Sequence, residues 1–232
     1  GAWARTGVDG AARVTENAET PLFVETGTAY LTHTTTLETT GSLSGGRVAL
    51  HVVPHAHVVT WGGEFGEAVL RALPAPTHAI VFDFDGVFTD NRVFVDETGK
   101  ESVACSRGDG LGLTTLRQTH VKLLVLSKEQ NPVVSARAAK LKLECMQGVD
   151  DKPRALAAWL ERNGLDAAHV VYVGNDLNDV GCMRMVGCAL APSDSHPTAL
   201  RAATAVLSRA GGQGAVREVC DAVLAQLGLP AD

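Results

Sequence analysis

Short apolar runs alternate with amphipathic segments from about residue 77 to the end of the chain. Strands buried on both faces are nearly continuous in Val, Ile, Leu and Ala, and four runs fit this description: AIVFDF, VKLLVLS, HVVYVGN and GCALA. Helical spacing of apolar residues occurs between them, in NPVVSARAAKLKL, KPRALAAWLERNG and DLNDVGCMRMVG. This alternation predicts a doubly wound (Rossmann-like) α/β domain with a parallel sheet over residues 77–232.

The first 76 residues follow a different pattern. They are rich in Thr and Gly, with two runs that favour strands, PLFVETGTAYL and RVALHVVPHAHVV, and one short helical pattern, EFGEAVLRAL. Pro74 and Pro76 follow that helix and interrupt it, because proline lacks the N–H that a helix needs. We therefore expect a domain boundary here, with a small α+β segment at residues 1–76 and the α/β domain at residues 77–232.

Composition excludes several classes of function. The 232 residues carry a formal net charge of -6, and they contain no block of Lys and Arg of the kind that binds nucleic acid or anionic membranes. We expect no membrane span and no secretion signal, because no apolar run reaches roughly 18 residues. The five scattered cysteines fit reduced thiols. We therefore expect a cytoplasmic protein that acts on a small molecule.

Polar residues stand at the ends of three predicted strands. Asp83 and Asp85 follow AIVF, Ser127 follows VKLLVL, and Asn175 and Asp176 follow VVYVG. The carboxyl ends of parallel strands share one edge of a sheet, and ligands of α/β domains bind there. We therefore expect these five side chains to converge on one site.

Three carboxylates at one edge predict a divalent cation. Asp83, Asp85 and Asp176 would repel one another unless a cation neutralised them. Mg²⁺ fits, since it takes oxygen ligands and often binds a substrate phosphate as well. The DFDG stretch alone has a plainer interpretation, which is a strand followed by an Asp-Gly turn.

Two further residues suit a phosphate group. Ser127 supplies a hydroxyl and opens SKEQNP, where we expect a helix start whose N–H groups favour an anion. Lys152 supplies a cation at the start of another predicted helix, in DDKPRAL. Together with the carboxylates, these residues predict a magnesium-dependent phosphate site.

Four segments, DFDGVFTD, LVLSKE, DDKPRAL and VGNDLND, resemble in this order the four motifs of the haloacid dehalogenase-like (HAD) hydrolase superfamily. The residues of these motifs are most similar to those of the capless phosphatases in that superfamily, which act on 8- and 9-carbon sugar acids such as KDO 8-phosphate or acylneuraminate 9-phosphate. The resemblance covers residues 79 to about 226. It implies a HAD fold without a cap domain, because the intervals between motifs hold only a hairpin, RVFVDETGKESVAC, and one helix with one strand. It also implies a homotetramer whose hairpins pair between subunits.

The resemblance implies a role for each motif residue. Asp83 would attack phosphorus to form an aspartyl-phosphate, and Asp85 would protonate the leaving oxygen and then activate water. Such a proton donor favours a phosphatase over a dehalogenase, because a halide leaves without a proton. The other implied roles are contact with the phosphoryl group (Ser127, Lys152), Mg²⁺ binding (Asp176, the Asp83 carboxylate and the Asp85 backbone carbonyl) and support behind these ligands (Asn175, Asp179).

The resemblance also implies substrate contacts. Arg107 and Asp109, in SRGDGLGL, lie in the substrate-side segment of the family, and GDGLG lacks the spacing of a dinucleotide loop. Arg217 lies in GGQGAVRE, residues 211–218, a segment that reaches a neighbouring active site in relatives, although a helix-surface position explains Arg217 equally well. Gln213 stands where relatives have Arg, so one charge that would favour an acidic substrate is missing.

The N-terminal segment resembles the last third of a CMP-sialic acid synthetase, an acylneuraminate cytidylyltransferase. The resemblance rests on FVETGTAYL, GSLSGGRVALHVVP and VVTWGGEFGEAVLRAL. Thr60 and Gly62 stand where the family has two metal-binding aspartates, and the nucleotide-binding loop of the family is absent from this sequence. We therefore do not expect this chain alone to make CMP-sugars.

These observations favour a Mg²⁺-dependent phosphomonoesterase of a phosphorylated nonulosonic or related sugar acid. The synthetase-like segment motivates that substrate, because dephosphorylation and cytidylyl transfer would be successive steps. The alternative is a non-catalytic oligomerisation domain of an acylneuraminate cytidylyltransferase, but a scaffold has no reason to retain buried like charges. A cytidylyltransferase proper is a third hypothesis.

Overall fold

The computed structural model describes residues 67–230 of the chain. The strands predicted within residues 1–66, and most of the cytidylyltransferase resemblance, lie outside the described residues. The helix predicted from EFGEAVLRAL is present in its described part as α1, Glu67–Ala72. The domain boundary at Pro74 and Pro76 stays a prediction.

A parallel sheet of six strands forms the centre of the α/β domain. Its strands are β1 (Ala79–Phe82), β4 (Lys122–Leu126), β5 (Glu144–Met146), β6 (Val170–Val173), β7 (Cys188–Ala191) and β8 (Ala205–Val206). The order across the sheet is β5-β4-β1-β6-β7-β8, and every neighbouring pair is parallel. The chain winds outwards from β1 to β5, returns to β6 beside β1, and winds outwards again to β8. The predicted doubly wound α/β fold is therefore confirmed.

Helices cover both faces of this sheet. Besides α1 they are α2 (Arg107–Leu116), α3 (Val133–Leu141), α4 (Lys152–Asn163), α5 (Val180–Met183), α6 (Pro197–Ala202) and α7 (Ala215–Gln226). Successive strand side chains point to opposite faces, so Ile80 and Phe82 pack with α1, α2, α3 and α7, whereas Ala79 and Val81 pack with α4, α5 and α6. Both faces are apolar, which explains the continuous hydrophobic runs. Within residues 67–230, no helix is both long and apolar enough to cross a membrane.

Helix α4 begins and ends at residues suited to those positions. The Asp151 carboxylate accepts a hydrogen bond from the backbone N–H of Arg154 at 3.1 Å, and Pro153 occupies the first turn. Gly164 ends the helix in the left-handed region, with φ 62°. The cap therefore fixes the position of Lys152, the first residue of the helix.

The predicted hairpin is present but short. Its strands, β2 (Phe94–Val95) and β3 (Glu101–Ser102), are antiparallel, and the Asp96 carboxylate accepts hydrogen bonds from the turn. Between Asp83 and Ser127 the chain forms only this hairpin, α2 and β4, and between Lys152 and Asp176 only α4, a 3₁₀ turn and β6. In this part of the chain no cap domain separates the motifs, as the resemblance implies.

Several elements of the described region are not predicted by the apolar pattern: α2, β5, α6, β8 and α7. Glycines at three alternate positions of α2 lower its helix propensity, and tertiary packing against α7 outweighs that cost. Strand β5 is only three residues long and follows α3 directly. The helix predicted from DLNDVGCMRMVG is divided into a 3₁₀ turn, Leu177–Asp179, and the short α5.

Candidate active site

The ends of three neighbouring strands meet at one edge of the sheet. Phe82, the last residue of β1, is in register with Val125 of β4 and with Val173 of β6. The backbone N–H of Asp83 donates to the carbonyl of Val173 at 2.9 Å, which fixes Asp83 next to the loop after β6. The residues that follow these strands leave the sheet close together: Asp83, Asp85, Ser127, Asn175 and Asp176.

Lys152 lies between two buried carboxylates. Its Nζ is 2.8 Å from Oδ1 of Asp83 and 2.8 Å from Oδ1 of Asp179, and all three side chains are at most 6% exposed. Asp179 also accepts hydrogen bonds from the Tyr172 hydroxyl at 2.8 Å and from the backbone N–H of Asn175 at 2.9 Å. The cluster therefore holds one ammonium group and two carboxyl groups away from water.

Burial and the second carboxyl group shift the pKa values of the cluster. Burial and the nearby Asp179 carboxylate raise the pKa of Asp83 from 3.8 to about 8, although Lys152 acts in the opposite direction. Burial lowers the pKa of Lys152, but the two carboxylates outweigh burial and raise it overall, so the ammonium stays charged. Burial and the Asp179 charge also raise the pKa of Tyr172, which keeps its hydroxyl protonated as a donor. A further cation beside Asp83 would stabilise its ionised form.

Asp85 lies in the turn that follows β1. The backbone N–H of Gly86 donates to the Thr89 hydroxyl at 3.2 Å, which closes this turn. Burial and the Glu129 carboxylate raise the pKa of Asp85, whereas Lys152 and the Thr89 hydroxyl act in the opposite direction. Asp85 is only half-buried, so its carboxyl group can exchange a proton with a ligand.

Gly86 brings this turn against the loop after β6. Its φ is +74°, and a Cβ at this position would lie 1.9 Å from Nδ2 of Asn175. Asn175 is itself buried, and its carbonyl accepts a hydrogen bond from the N–H of His196 at 2.8 Å. Only glycine satisfies both the backbone conformation and the close approach.

Ser127 begins a turn instead of a helix. Its hydroxyl accepts a hydrogen bond from the N–H of Glu129 at 3.1 Å, and Oε1 of Glu129 accepts from the N–H groups of Gln130 and Asn131, both at 2.7 Å. Helix α3 begins only at Val133. The helix start expected in SKEQNP is therefore found later, because side chains of the turn satisfy the N–H groups that would begin it.

The loop after β6 carries Asp176 and is held by Asp179. Oδ2 of Asp179 accepts a hydrogen bond from the N–H of Asp176 at 3.2 Å, and Oδ1 of Asp176 accepts from the N–H of Leu177 at 2.7 Å. Asp179 is fully buried, whereas Asp176 is partly exposed. Asp179 thus fixes the loop and leaves Asp176 accessible.

A cleft of about 440 Å³ opens at this edge of the sheet. The residues that line it are Asp83, Asp85, Ser127, Lys128, Glu129, Gln130 and Asn178. Its volume suits a small ligand, and its lining is polar and rich in carboxylates. The predicted nucleophile, proton donor and hydroxyl therefore share one cleft.

The donor set fits Mg²⁺. Burial raises the pKa of both Asp83 and Asp85, so the ionised carboxylates are costly here without a cation. Among the residues that the structure describes, no group of three His, Cys, Asp or Glu side chains is arranged to hold a metal by itself. The predicted set of Asp83, Asp176 and the Asp85 carbonyl supplies hard oxygen ligands and leaves further positions for water and substrate, which is the usual arrangement for Mg²⁺.

The three predicted substrate residues do not line this cleft. Arg107 is exposed at the start of α2, and Arg217 lies on α7, where its Nε donates to Oδ1 of Asp221 at 2.6 Å. Asp109 is fully buried, and its Oδ1 accepts a hydrogen bond from the backbone N–H of Arg217 at 3.1 Å. The burial of Asp109 between two helices contradicts a direct substrate contact, and the position of Arg217 favours the helix-surface interpretation.

The GGQG segment, residues 211–214, packs against the Asp85 turn of its own chain. The N–H of Gly212 donates to the carbonyl of Val87 at 3.0 Å, and a Cβ on Gly211 would lie 2.1 Å from the carbonyl oxygen of Gly86. A second cavity of about 350 Å³ lies beside this contact, lined by Asp90, Ala104, Cys105, Ser106, Gly212 and Gln213. The implied reach of residues 211–218 to a neighbouring active site stays a prediction.

Three residues of the site had no predicted role. Tyr172 is the one polar side chain in the apolar run of β6. This isolated hydroxyl is the feature of the sequence that could have indicated a role for Tyr172. Thr89 and Glu129 stand inside the motif segments DFDGVFTD and LVLSKE, but their hydrogen bonds with backbone N–H groups follow only from the folded turns.

Comparisons with known proteins connect this arrangement to one group of enzymes. No family model matches the chain. The chain is 34% identical over 146 residues to the 3-deoxy-D-manno-octulosonate 8-phosphate phosphatase KdsC of Salmonella typhi, across 62% of this chain and 78% of that protein. Among solved structures, a Streptomyces avermitilis protein assigned to the HAD hydrolases is 45% identical, with a TM-score of 0.64 over 66% of this chain and 87% of its own.

A third relative was solved with ligands. The 3-deoxy-D-manno-octulosonate 8-phosphate phosphatase of Moraxella catarrhalis, in complex with a magnesium ion, a phosphate ion and a KDO molecule, is 28% identical to the chain. Its TM-score is 0.64, and the match covers 68% of this chain and 90% of that one.

Proposed function

Because the chain belongs to the KdsC-like phosphatases of the HAD superfamily, we propose that it hydrolyses the phosphomonoester of a phosphorylated sugar acid with the help of Mg²⁺. The observation that carries this proposal is that Asp83, paired with the buried Lys152, lines one polar cleft together with Asp85 and Ser127. Such a pair presents an oriented carboxylate to a phosphoryl group and supplies positive charge next to it.

The first step is attack by the Asp83 carboxylate on phosphorus. Oδ1 is held by Nζ of Lys152 at 2.8 Å and by the N–H of Phe84 at 2.7 Å, which leaves Oδ2 to form the new bond to phosphorus. The bond from phosphorus to the sugar oxygen breaks, and that oxygen takes a proton from Asp85. The products are an aspartyl-phosphate and the free sugar acid.

The second step regenerates the carboxylate. Asp85, now ionised, removes a proton from a water molecule as the water oxygen attacks phosphorus. The bond between Oδ2 and phosphorus breaks, phosphate leaves, and Asp85 is again protonated for the next turnover. Burial and the Glu129 carboxylate raise the pKa of Asp85, which favours the protonated form that donates to the leaving oxygen.

The remaining residues position the phosphoryl group. Lys152 has three ammonium hydrogens, and Asp83 and Asp179 are partners for two of them. We propose that the third, together with the hydroxyl of Ser127, donates to a phosphoryl oxygen. Mg²⁺, bound by Asp83, Asp176 and the Asp85 carbonyl, would neutralise phosphoryl charge. Asn175 and Asp179 hold the loop that carries Asp176.

Two sugar-acid phosphates are the leading substrates. KDO 8-phosphate is suggested by the names of the relatives, and acylneuraminate 9-phosphate by the cytidylyltransferase-like segment within residues 1–76. Gln213 lines the second cavity without adding a charge, so we expect recognition of the acid group to rely on other residues. The cytoplasmic location stays a prediction.

We also propose that the chain forms a homotetramer through its hairpins. Val93, Phe94 and Val95 are 53%, 65% and 61% exposed, and such an apolar stretch is typical of a surface that meets a partner. Light scattering of the wild type and of Phe94→Ser tests this, since loss of the apolar contact should produce smaller particles. Tetramers unaffected by the substitution would contradict the role of the hairpin.

Phosphate release tests the reaction itself. The assay compares KDO 8-phosphate, acylneuraminate 9-phosphate, KDN 9-phosphate and p-nitrophenyl phosphate, each with Mg²⁺ and with a chelator. We expect Mg²⁺-dependent release with a preference for one sugar acid, abolished in Asp83→Asn and retained in Asp150→Asn, which changes an exposed carboxylate. No release from any substrate by a well-folded protein would instead support the oligomerisation-domain alternative.

A further inference from the structure

Asp109 joins two helices that are distant in the sequence. It lies in the first turn of α2, and its Oδ1 accepts a hydrogen bond at 3.1 Å from the N–H of Arg217 in the first turn of α7. Gly112, one turn later on α2, permits this approach, because a Cβ there would lie 2.8 Å from both Cδ of Arg217 and Cβ of Cys220. Asp109 is fully buried in this contact.

The start of α7 depends on that carboxylate. The N-cap residue, Gly214, has φ 98° and no side chain with which to accept a hydrogen bond from the first turn. Asp109 supplies the missing acceptor from another helix. The beginning of α7, and therefore the end of residues 211–214, is fixed by α2.

Residues 211–214 in turn support the turn that carries Asp85. Gly211 donates its N–H to Oδ1 of Asp194 at 2.9 Å, and Gly212 donates to the carbonyl of Val87 at 3.0 Å. A Cβ added to Gly211 would lie 2.1 Å from the carbonyl oxygen of Gly86 and 2.8 Å from the carbonyl oxygen of Thr89. The backbones touch with no space for a side chain, so a shift of this segment would displace the turn.

We propose that Asp109 is a positioning residue for the proton donor Asp85. The connection runs from the Asp109 carboxylate to the start of α7, from there to residues 211–214, and then through direct backbone contact to the turn between Asp83 and Thr89. Asp109 does not touch the reacting atoms. This inference rests on the proposed phosphatase function and assigns Asp109 a role other than the substrate contact implied by the resemblance.

The leaving group of the substrate provides a specific readout. A sugar oxygen is a poor leaving group and needs the proton of Asp85, whereas p-nitrophenolate leaves without one. If Asp109 positions Asp85, Asp109→Ala should lower kcat/KM, which reports formation of the aspartyl-phosphate, by about tenfold or more for the preferred sugar-acid phosphate, within the effect of a general acid. For p-nitrophenyl phosphate, kcat/KM should fall by less than about threefold. Asp109→Asn retains an oxygen acceptor for the Arg217 N–H and should recover most of the loss.

Two further variants separate positioning from general destabilisation. Val223→Ala removes buried apolar volume from α7 away from the Asp85 turn and should affect both substrates alike after correction for folded protein. Gly211→Ala disturbs the contact between residues 211–214 and the Asp85 turn directly. It should therefore lower the activity on the sugar-acid phosphate more than the activity on p-nitrophenyl phosphate. This variant tests the inference even where Asp109→Ala does not fold. Equal losses on both substrates, or no loss, in the Asp109 and Gly211 variants would overturn the inference. A wild type without phosphatase activity would instead contradict the proposed function.

Discussion

The ammonium nitrogen of Lys152 lies 2.8 Å from Oδ1 of Asp83, and the two side chains are only 1% and 6% exposed. A charge pair this deeply buried stabilises the fold only while both partners are present, because either one alone leaves an uncompensated charge away from water. The same contact orients the carboxylate that we propose as the nucleophile. Stability and activity therefore depend on one ion pair.

Replacement of Lys152 by methionine tests this dependence. Lys152→Met keeps the length of the side chain but leaves Asp83 and Asp179 together without a cation. We expect the free energy of unfolding to fall by about 3–5 kcal/mol in urea denaturation, and phosphate release to be lost. For stability, the matched control is Lys128→Met, whose exposed pair with Asp150 at 3.7 Å should contribute less than about 1 kcal/mol. Equal effects of the two substitutions would contradict the buried-pair argument.

Two glycines with similar backbone conformations separate crowding from strain. Gly86 and Gly99 have φ of +74° and +80°, but only Gly86 has neighbours within 4 Å of the place of a Cβ. Gly99→Ala should cost about 1–2 kcal/mol through the backbone alone and retain activity. Gly86→Ala should cost more and inactivate the enzyme, because Asn175 must move. Thermal unfolding and phosphate release measure both, and a fully active Gly86→Ala would refute the proposed contact.

Mg²⁺ should stabilise the protein through the carboxylates of the cleft. A ligand at 100 times its Kd adds about 2.7 kcal/mol, which corresponds to a rise in Tm of roughly 5–10 °C for a domain of this size. We expect this rise in differential scanning calorimetry of the wild type, and a much smaller one in Asp83→Asn and Asp176→Asn. A rise of the same size in both variants would show that Mg²⁺ binds elsewhere, and Asp150→Asn should behave as the wild type.

Stability should depend on pH through Asp109. Burial raises the pKa of this carboxyl from 3.8 to about 6, although the Arg217 N–H and the charges of Arg137 and Arg217 act in the opposite direction. The folded state therefore binds the proton more tightly than the unfolded state, so the stabilisation is fully present below about pH 4 and is lost as pH rises through about 6.

Asp109→Asn does not titrate and provides the reference for this pH effect. Urea denaturation between pH 4 and 7.5 should show the stability of the variant relative to the wild type increasing with pH, by roughly 2–3 kcal/mol at most. A difference that is independent of pH would refute the raised pKa. An exposed carboxylate, as in Asp150→Asn, should show little change over the same range.

The sequence was sufficient for features that depend on local pattern or on strand order. Continuous apolar runs predicted the strands of a sheet covered on both faces, and the polar residues after them predicted where Asp83, Ser127 and Asn175 would meet. Helix α4 was also predictable, because its cap, first-turn proline and final glycine lie next to one another in the chain.

Features that depend on long-range contacts were not predictable in the same way. Asp109 occupies a glycine-rich stretch next to a substrate-side motif, and only the folded structure shows that its partner is Arg217, 108 residues away. The displaced start of α3 has a similar cause, because Ser127 and Glu129 satisfy backbone groups through side chains that a pattern of apolar residues does not register.

The central place of β1 determines how the site responds to partial opening. Strand β1 lies between two hydrogen-bonded strands, so its amides should exchange with deuterium only when the whole domain unfolds. Residues 212–214 lie nearer the surface, and their amides should exchange through local fluctuations. The proposed nucleophile, Asp83, thus follows a strand that opens only on global unfolding. The segment that positions the proton donor Asp85 opens more easily. On warming, proton donation would therefore fail before Asp83 is dislodged.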